Sequence, residues 1–178
     1  MIFFNGGGLC QGSSLDETIA DCYNRSKGKF GSSNGWPDTM EGEGYLSTNS
    51  SISNFSSWNK IIIGYCDGSL HQGYRKVPIS YKGEKLYFRG AVNTRSHFKW
   101  IMNKFPLFKN SNQIVVTGVS AGGMASFYWT NYVRSLVNNA SNVVTIIDSG
   151  AFIISKTYQT NEDFLLTGFV NMFKLANI

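Results

Sequence analysis

Four short runs of apolar residues, most of them β-branched or aromatic, give this sequence its most regular pattern. Each run ends in a turn that contains glycine, as strands of a sheet commonly do where they enter a loop. Continuous apolar strands of this type are typical of a parallel sheet that is covered on both faces. The runs are Ile2–Phe4, Lys60–Tyr65, Gln113–Thr117 and Val143–Ile147.

Two segments between these runs carry the spacing of an amphipathic helix. Residues 91–105 repeat apolar side chains at helical intervals until Pro106 ends the pattern, and residues 121–137 do the same before the fourth run. The alternation of strand and helix predicts a doubly wound α/β fold with a mostly parallel sheet. The apolar faces are Phe98, Ile101, Met102 and Phe105 in the first helix, and Ala125, Trp129, Tyr132 and Leu136 in the second.

The length of 178 residues predicts one domain, or part of one, across residues 1–178. Within it, residues 11–57 are rich in Gly, Ser and Asn, and we predict a long loop region there. Loops of such length in a compact domain often act as lids or binding loops.

Composition narrows the classes of function. Only 15% of the residues are charged, and the net charge of +5 comes from scattered Lys and Arg rather than from a cluster, so we predict no nucleic-acid partner. No apolar run approaches the roughly 20 residues of a membrane helix, and the first residues lack the pattern of a signal peptide. Four sites fit the acceptor pattern for N-glycosylation, at Asn24, Asn49, Asn54 and Asn139.

Three cysteines leave one without a partner inside the chain if the protein is oxidised. Cys10 and Cys22 are close enough in sequence to close a loop, while Cys66 lies apart. Three buried free thiols in a reducing compartment are the alternative. No paired Cys or His spacing suits zinc, and we predict neither a metal nor another cofactor.

The most specific chemical signal is Ser120 in the sequence Gly118-Val119-Ser120-Ala121-Gly122. A serine between an apolar strand and a helix, with glycine two residues away on each side, is the nucleophile-elbow pattern. The flanking glycines permit close backbone approach, and the following helix directs its N-terminal N–H groups, including that of Ala121, toward developing negative charge. The alternative is a glycine-rich turn in which the serine only caps the helix.

A second glycine-rich loop, Gly6-Gly7-Gly8, follows the first strand and could supply further N–H donors to an oxyanion. Phosphate binding explains neither loop well. Residues 118–123 lack the Lys-Ser/Thr ending of a P-loop, and residues 6–12 are mis-spaced for a dinucleotide fingerprint.

Seven short motifs, in order between Gly6 and about Phe152, resemble the pectin acetylesterase and Notum family. Two of them, Tyr65-Cys66-Asp67-Gly68 and Phe88-Arg89-Gly90, are more similar to the plant pectin acetylesterase branch than to Notum. The set comprises Gly6-Gly7-Gly8-Leu9-Cys10, Gly44-Tyr45-Leu46-Ser47, Trp58-Asn59-Lys60, Tyr65-Cys66-Asp67-Gly68-Ser69, Phe88-Arg89-Gly90, Gly118-Val119-Ser120-Ala121-Gly122-Gly123 and Asp148-Ser149-Gly150.

The resemblance implies an α/β-hydrolase-like fold and a secreted serine ester hydrolase in which Ser120 attacks the ester. The oxyanion would sit among the amides of Gly8, Leu9 and Ala121. The family usually has Trp where this chain has Leu9, which preserves a backbone donor but alters the adjoining pocket. The resemblance also implies a Cys10–Cys22 disulfide and leaves Cys66 unpaired, because the family partner of that cysteine lies upstream of the glycine-rich loop.

The family's catalytic Asp and His lie downstream of the segment that matches Asp148-Ser149-Gly150, so the resemblance implies a domain that is incomplete at both ends. The two histidines, His71 and His97, both precede Ser120, whereas this fold orders its triad as Ser, acid, His. Asp148 ends a strand where some hydrolases of the fold keep their acid, but the family does not use it in this way.

The leading hypothesis is therefore an O-deacylase that acts through an acyl-enzyme on an acylated substrate such as an acetylated polysaccharide. The alternative is a catalytically inactive fragment or binding protein of the same fold. A third hypothesis is a cytosolic, thiol-containing hydrolase without disulfides.

Overall fold

The computed structural model describes residues 1–139, 142–151 and 164–178, and its centre is a parallel sheet of four strands in the order β2-β1-β5-β6. The α/β-hydrolase-like arrangement predicted from the sequence is confirmed. The strands are β1 (Ile2–Phe4), β2 (Ile61–Ile63), β3 (Ile79–Tyr81), β4 (Glu84–Leu86), β5 (Ile114–Val119) and β6 (Val143–Asp148). The helices are α1 (Leu15–Ser26), α2 (Gly90–Lys104), α3 (Ala121–Leu136) and α4 (Phe164–Ala176).

The main core lies between one face of the sheet and helices α2 and α3. Alternate strand residues point to this side, because successive side chains of a strand face opposite sides of a sheet. Ile2 and Phe4 of β1 share the core with Val116 of β5, and all three are almost fully buried. The helices contribute Phe98, Ile101, Ala125, Trp129 and Val133 to the same cluster.

Both predicted helices are confirmed, and their buried faces differ slightly from the predicted ones. Phe98 and Ile101 are buried, but Phe105 is 47% exposed because α2 ends at Lys104. In α3 the buried residue of the last turns is Val133, while Tyr132 is only half-buried. The predicted helical faces were therefore correct to within about one residue.

The prediction of a long loop over residues 11–57 was wrong in its first part, which forms helix α1. The Ser14 side chain accepts a hydrogen bond from the Glu17 amide at 3.2 Å, and the Glu17 carboxylate in turn accepts from the Ser13 amide at 2.9 Å. Such reciprocal capping is a recognised start signal for a helix. Thr18 and Cys22 are its buried residues, and Ile19 and Tyr23 pack half-buried against the same cluster.

Two further elements were not predicted. Strands β3 and β4 form an antiparallel hairpin whose two-residue turn, Lys82-Gly83, has φ values of 49° and 80°. Two positive φ values fit the tight turn that best matches strand twist, but a lysine at the first position is an unusual signal for it. Helix α4 packs against α1, and its buried residues include Met172 and Leu175.

Strand β6 departs from the predicted parallel sheet with two covered faces. Val144 is 51% exposed and Ile146 is 44% exposed, whereas β5 is buried from Ile114 to Gly118 on both faces. Strand β6 is the last strand of the sheet among the described residues, so it has a neighbouring strand on one side only.

The three cysteines lie close together at the carboxyl end of the sheet. Cys10 and Cys22 form a disulfide with Cα atoms 5.1 Å apart, which ties α1 to the chain that follows β1. Closing so short a loop contributes on the order of 3 kcal/mol to stability. Cys66 is free and half-buried, and burial, assisted by Asp67, raises the pKa of its thiol.

Among the described residues no helix has the length and apolar character needed to cross a membrane, and no group of three or more potential ligands is placed to hold a metal ion. All four acceptor asparagines, Asn24, Asn49, Asn54 and Asn139, are exposed. The sequon of Asn139 includes Ala140 and Ser141, which lie outside the described residues.

Candidate active site

Ser120 occupies a sharp turn between the end of β5 and the start of α3. Its backbone has φ 56° and ψ −119°, a conformation that costs free energy for any residue with a Cβ. Residues are held in such conformations where the surrounding structure fixes them, and such sites are often functional. The combination of strand, strained serine and helix is that of a nucleophile elbow.

The glycines around Ser120 are required by close backbone packing. A Cβ on Gly122 would lie 1.9 Å from the carbonyl oxygen of Phe4, and one on Gly118 would lie 2.4 Å from the carbonyl oxygen of Gly122. Contacts below 3.0 Å with backbone atoms have no easy relief. Gly6 is also constrained, because a Cβ there would lie 2.4 Å from the Val119 carbonyl oxygen and 3.4 Å from the Ser120 Cβ. The two glycine-rich segments are thus packed directly against each other.

The turn after β6 supports the elbow from the other side. The Ser120 amide donates to the Asp148 carbonyl oxygen at 2.9 Å, and a Cβ on Gly150 would lie 2.5 Å from the carbonyl carbon of Gly123. The Asp148 carboxylate accepts hydrogen bonds from the Tyr45 hydroxyl at 3.3 Å and from the Ser149 hydroxyl at 2.9 Å. The conspicuous Asp148-Ser149-Gly150 motif therefore has a structural role at the elbow.

Tyr45 joins the segment around residues 44–46 to the sheet beside the elbow. Its ring lies 6.0 Å from that of Phe3, and burial is the main cause that raises the pKa of its hydroxyl. The hydroxyl therefore stays protonated and keeps donating to Asp148.

Two side chains to which the sequence assigned no individual role orient the peptides of Gly7 and Gly8. The Arg25 Nη1 donates to the Gly7 carbonyl oxygen at 2.5 Å, and the Tyr65 hydroxyl donates to the Gly8 carbonyl oxygen at 2.8 Å. In a trans peptide the N–H of the next residue points away from the carbonyl oxygen, and none of the described peptide bonds is cis. Fixing these two carbonyls therefore also fixes the N–H groups of Gly8 and Leu9.

The positive φ angles of Gly7 and Gly8, 135° and 71°, show why this loop contains glycines. Gly8 is exposed and a Cβ on it would meet no atom within 4 Å, so space remains on that side of the loop. Ala121 is buried at the first turn of α3. The structure thus brings Gly8, Leu9, Ser120 and Ala121 to one end of the sheet.

His71 is a buried structural residue rather than part of this arrangement. Its Nε2 lies 2.9 Å from the Asn5 carbonyl oxygen and therefore carries the proton, and its ring stacks on that of Tyr65 at 4.5 Å. Burial lowers the pKa of the imidazole to about 4. His97 lies on α2, half-buried, and burial lowers its pKa as well.

We predict that His71 remains neutral until the pH falls to about 4, whereas an unfolded histidine takes up its proton near 6.5. Between these values the unfolded chain binds more protons than the folded chain, so the free energy of unfolding should fall as the pH is lowered. The contribution from His71 is up to about 3 kcal/mol. NMR titration of the imidazole nitrogens, in a His97→Gln background, checks this. A His71 that titrates near 6.5 would contradict its burial as a neutral donor.

The Asp67 carboxyl of the Tyr65–Ser69 motif also has a structural role. It accepts from the Ser69 amide at 3.2 Å, from the Ser69 hydroxyl and from the Gly90 amide at the start of α2. A carboxylate at a helix N-terminus interacts favourably with the helix dipole. Burial nevertheless dominates and raises the pKa of this carboxyl.

The comparisons with known proteins agree on one family. The sequence pattern described as "PAE: Pectinacetylesterase" matches residues 1–178. The chain is 30% identical over 154 residues to Pectin acetylesterase 5 of Arabidopsis thaliana, with 86% of this chain and 34% of that protein covered. It is also 27% identical to palmitoleoyl-protein carboxylesterase notum2 of Xenopus laevis, with 88% and 31% covered.

Among solved structures, the Wnt deacylase Notum from Drosophila is similar in fold, with a TM-score of 0.82 and 23% sequence identity. The match covers 99% of this chain and 51% of that chain. The chain thus spans about a third of the length of the curated relatives it matches.

Proposed function

The chain belongs to the pectinacetylesterase family, and we propose that it carries the nucleophile and the oxyanion hole of a serine ester hydrolase. Ser120 is the proposed nucleophile, and the amides of Gly8, Leu9 and Ala121 are the proposed oxyanion donors. The observation that carries the proposal is the strained backbone of Ser120 at the junction of β5 and α3, beside a glycine-rich loop whose peptide planes are fixed by Arg25 and Tyr65.

The proposed reaction has two steps. The Ser120 hydroxyl loses its proton to a base as its Oγ attacks the acyl carbonyl, and the resulting oxyanion accepts hydrogen bonds from the three amides. The alcohol leaves with a proton, and water then hydrolyses the acyl-enzyme and regenerates Ser120. The low pKa of His71 and its bond to Asn5 make it unsuitable as the base. His97 is half-buried on α2, and we propose that the general base and its acid partner lie outside the described residues.

We propose an O-acyl ester as the substrate, with an acetylated polysaccharide as the preferred carrier. The names of the plant relatives support an acetyl group, since they are pectin acetylesterases. The net charge of +5 favours an acidic carrier by long-range attraction. The Cys10–Cys22 disulfide supports an oxidising, extracytoplasmic location, because such bonds persist mainly there.

The alternative, a catalytically inactive binding protein of the same fold, is favoured by one observation. Both histidines precede Ser120 in the chain, and His71 is held at Asn5 while His97 lies half-buried on α2. A serine that no base activates is a weak nucleophile. In that case Ser120 would retain the backbone geometry of a nucleophile without acting as one.

Trapping the acyl-enzyme tests the proposed nucleophile. We expect that a version of the chain completed with the flanking segments of Pectin acetylesterase 5, quenched with acid during turnover of p-nitrophenyl acetate, carries one acetyl group on the peptide that contains Ser120. Rapid hydrolysis after acylation requires quenching within the first turnovers. Peptide mass spectrometry locates the group. An acetyl group on another residue, with Ser120 unmodified during active turnover, would contradict the proposal.

A further inference from the structure

Residues 69–72 form a buried turn that is strained at two adjacent positions. Leu70 and His71 have φ angles of 59° and 60°, in the left-handed region that residues with a Cβ rarely adopt. They are 1% and 2% exposed, and the Gln72 amide donates to the Ser69 carbonyl oxygen at 3.0 Å across the turn. Strained residues of this kind persist where the surrounding structure holds them, and they are often found at functional sites.

The turn places the Leu70 amide against the side chain of Tyr65. The Leu70 amide donates to the Tyr65 hydroxyl oxygen at 2.9 Å, and the same hydroxyl donates its proton to the Gly8 carbonyl oxygen at 2.8 Å. Burial raises the pKa of this hydroxyl, so it remains a proton donor. The Tyr65 ring is buried and stacks on that of His71, with the ring centres 4.5 Å apart. A chain of two hydrogen bonds thus runs from the strained turn to the glycine-rich loop.

The Gly8 carbonyl and the Leu9 N–H belong to one planar peptide group, so the hydrogen bond from Tyr65 also acts on the Leu9 amide. A hydrogen bond accepted at the carbonyl fixes the peptide plane, and it polarises the N–H group because linked hydrogen bonds strengthen one another. Arg25 acts in the same way on the Gly7 carbonyl oxygen, and therefore on the Gly8 amide. The two amides affected are two of the three proposed oxyanion donors.

We propose that Tyr65 is a positioning residue for ester hydrolysis, which holds and polarises the Leu9 amide for the oxyanion without touching the substrate. This inference rests on the proposed function of Ser120. The Tyr65 hydroxyl is engaged by the Leu70 amide and the Gly8 carbonyl inside the protein, so its effect on the reaction passes through the peptide group. An oxyanion forms in both acylation and deacylation, and a weaker Leu9 donor therefore slows both steps.

Replacing Tyr65 by phenylalanine tests the role, because the ring that stacks on His71 remains while both hydrogen bonds of the hydroxyl are lost. The test uses the completed chain, which is this chain with the flanking segments of Pectin acetylesterase 5. We expect kcat for p-nitrophenyl acetate to fall roughly tenfold, less than the about 10²–10³-fold cost of removing an oxyanion donor outright, because the Leu9 amide remains. The KM should change by less than about twofold, since the interaction is made only in the transition state.

Two further measurements separate this role from a merely structural one. In the 178-residue chain, the chemical shift of the Leu9 amide nitrogen should change in Tyr65→Phe while that of Ala121 stays, because only Leu9 shares a peptide group with the lost bond. In the completed chain, the affinity for a trifluoromethyl ketone, which forms a hemiketal oxyanion on Ser120, should fall by the same factor as kcat/KM. Urea unfolding reports the folded fraction of each variant.

Tyr132→Phe is the matched control, because it also removes a hydroxyl from a packed tyrosine, whose ring lies against Phe98 and Trp129. It should leave kcat within about twofold of the parent value. If Tyr65→Phe does not fold, Arg25→Met takes its place. It removes the donor to the Gly7 carbonyl but keeps an unbranched apolar stem, and it should lower kcat at constant KM through the Gly8 amide.

The outcomes distinguish this role from the proposed function itself. Activity of the completed chain that persists in Ser120→Ala would overturn the proposed function, and the role of Tyr65 with it. Activity that depends on Ser120 but keeps its kcat in Tyr65→Phe would overturn the role of Tyr65 alone. An unchanged shift of the Leu9 amide nitrogen would also overturn that role, as would a loss of activity equal to the loss of folded protein.

Discussion

Replacing Ser120 by alanine is expected to lower the turnover of p-nitrophenyl acetate by roughly 10⁴-fold or more in a chain completed with the flanking segments of Pectin acetylesterase 5. The alanine variant cannot form an acyl-enzyme, so only the oxyanion hole and substrate binding remain to assist attack by water. The 178-residue chain alone should turn over at a rate close to that of its own Ser120→Ala variant, because neither histidine of the described residues is free to activate the serine: His71 is held at the Asn5 carbonyl oxygen and His97 is half-buried on α2.

The measurement is the steady-state kcat and KM of four proteins: the completed chain and the 178-residue chain, each with Ser120 and with Ser120→Ala. Ser135→Ala is the matched control, because Ser135 is an exposed serine on the same helix, α3, and donates only to the Tyr132 carbonyl oxygen. Full activity of the 178-residue chain that depends on Ser120 would show that His71 or His97 serves as the base. That result would contradict the proposal that the general base lies outside the described residues.

Replacing Gly122 by alanine is expected to destabilise the fold by roughly 4 kcal/mol or more, at the top of the range for single substitutions. The new Cβ would lie 1.9 Å from the carbonyl oxygen of Phe4 and 2.7 Å from its carbonyl carbon. Both atoms belong to the end of β1, in the centre of the sheet, so no flexible side chain can yield. Relief of the clash requires α3 to move away from β1, which also displaces Ser120 from its elbow.

Urea unfolding of the two proteins measures this effect. Gly28→Ala is the matched control, because its new Cβ would meet only the Arg25 carbonyl oxygen, at an ordinary 3.7 Å. Gly28 also lies outside the left-handed region, so we expect the control to change the free energy of unfolding by less than about 1 kcal/mol. Equal midpoints for the Gly122 and Gly28 variants would show that the close packing of the elbow on β1 is not maintained.

The structure explains the family motifs in two groups. In the first group, Gly118 and Gly122 permit the close packing around the strained Ser120. Gly6 and Gly8 belong to the neighbouring loop, where the Gly8 carbonyl oxygen accepts a hydrogen bond from Tyr65. Asp67 and Asp148 instead accept hydrogen bonds that hold α2 and the turn after β6 in place. Acidic residues in a motif are therefore no evidence by themselves for a catalytic role.

The sequence alone was sufficient for the parallel strands, for α2 and α3, and for the serine between β5 and α3. These elements depend on local patterns, since continuous apolar runs form buried strands and apolar residues at helical spacing form the inner faces of helices. The role of the glycines around Ser120 could also be predicted, because the sharp turn between strand and helix itself requires close approach of the backbone.

Local patterns did not predict α1, the hairpin of β3 and β4, or α4. Helix α1 begins at a capping pair, is tied down by the Cys10–Cys22 bond and packs Ile19 and Tyr23 against the cluster that contains that bond. The capping pair Ser14 and Glu17 was a signal that could have been used. The turn of the hairpin contains Lys82 with a positive φ, and lysine is not a strong sequence signal for such a turn.

Only the tertiary structure decided what Arg25, Tyr65 and His71 do. Arg25 and Tyr65 are distant in sequence from each other and both reach the glycine-rich loop, where they fix two peptide planes. His71 was a titratable residue of undecided role until its burial against Tyr65 and Asn5 made it a neutral donor. These roles depend on contacts between residues far apart in the chain. Because burial and hydrogen bonding of these side chains arise only from those contacts, no local sequence pattern predicts them.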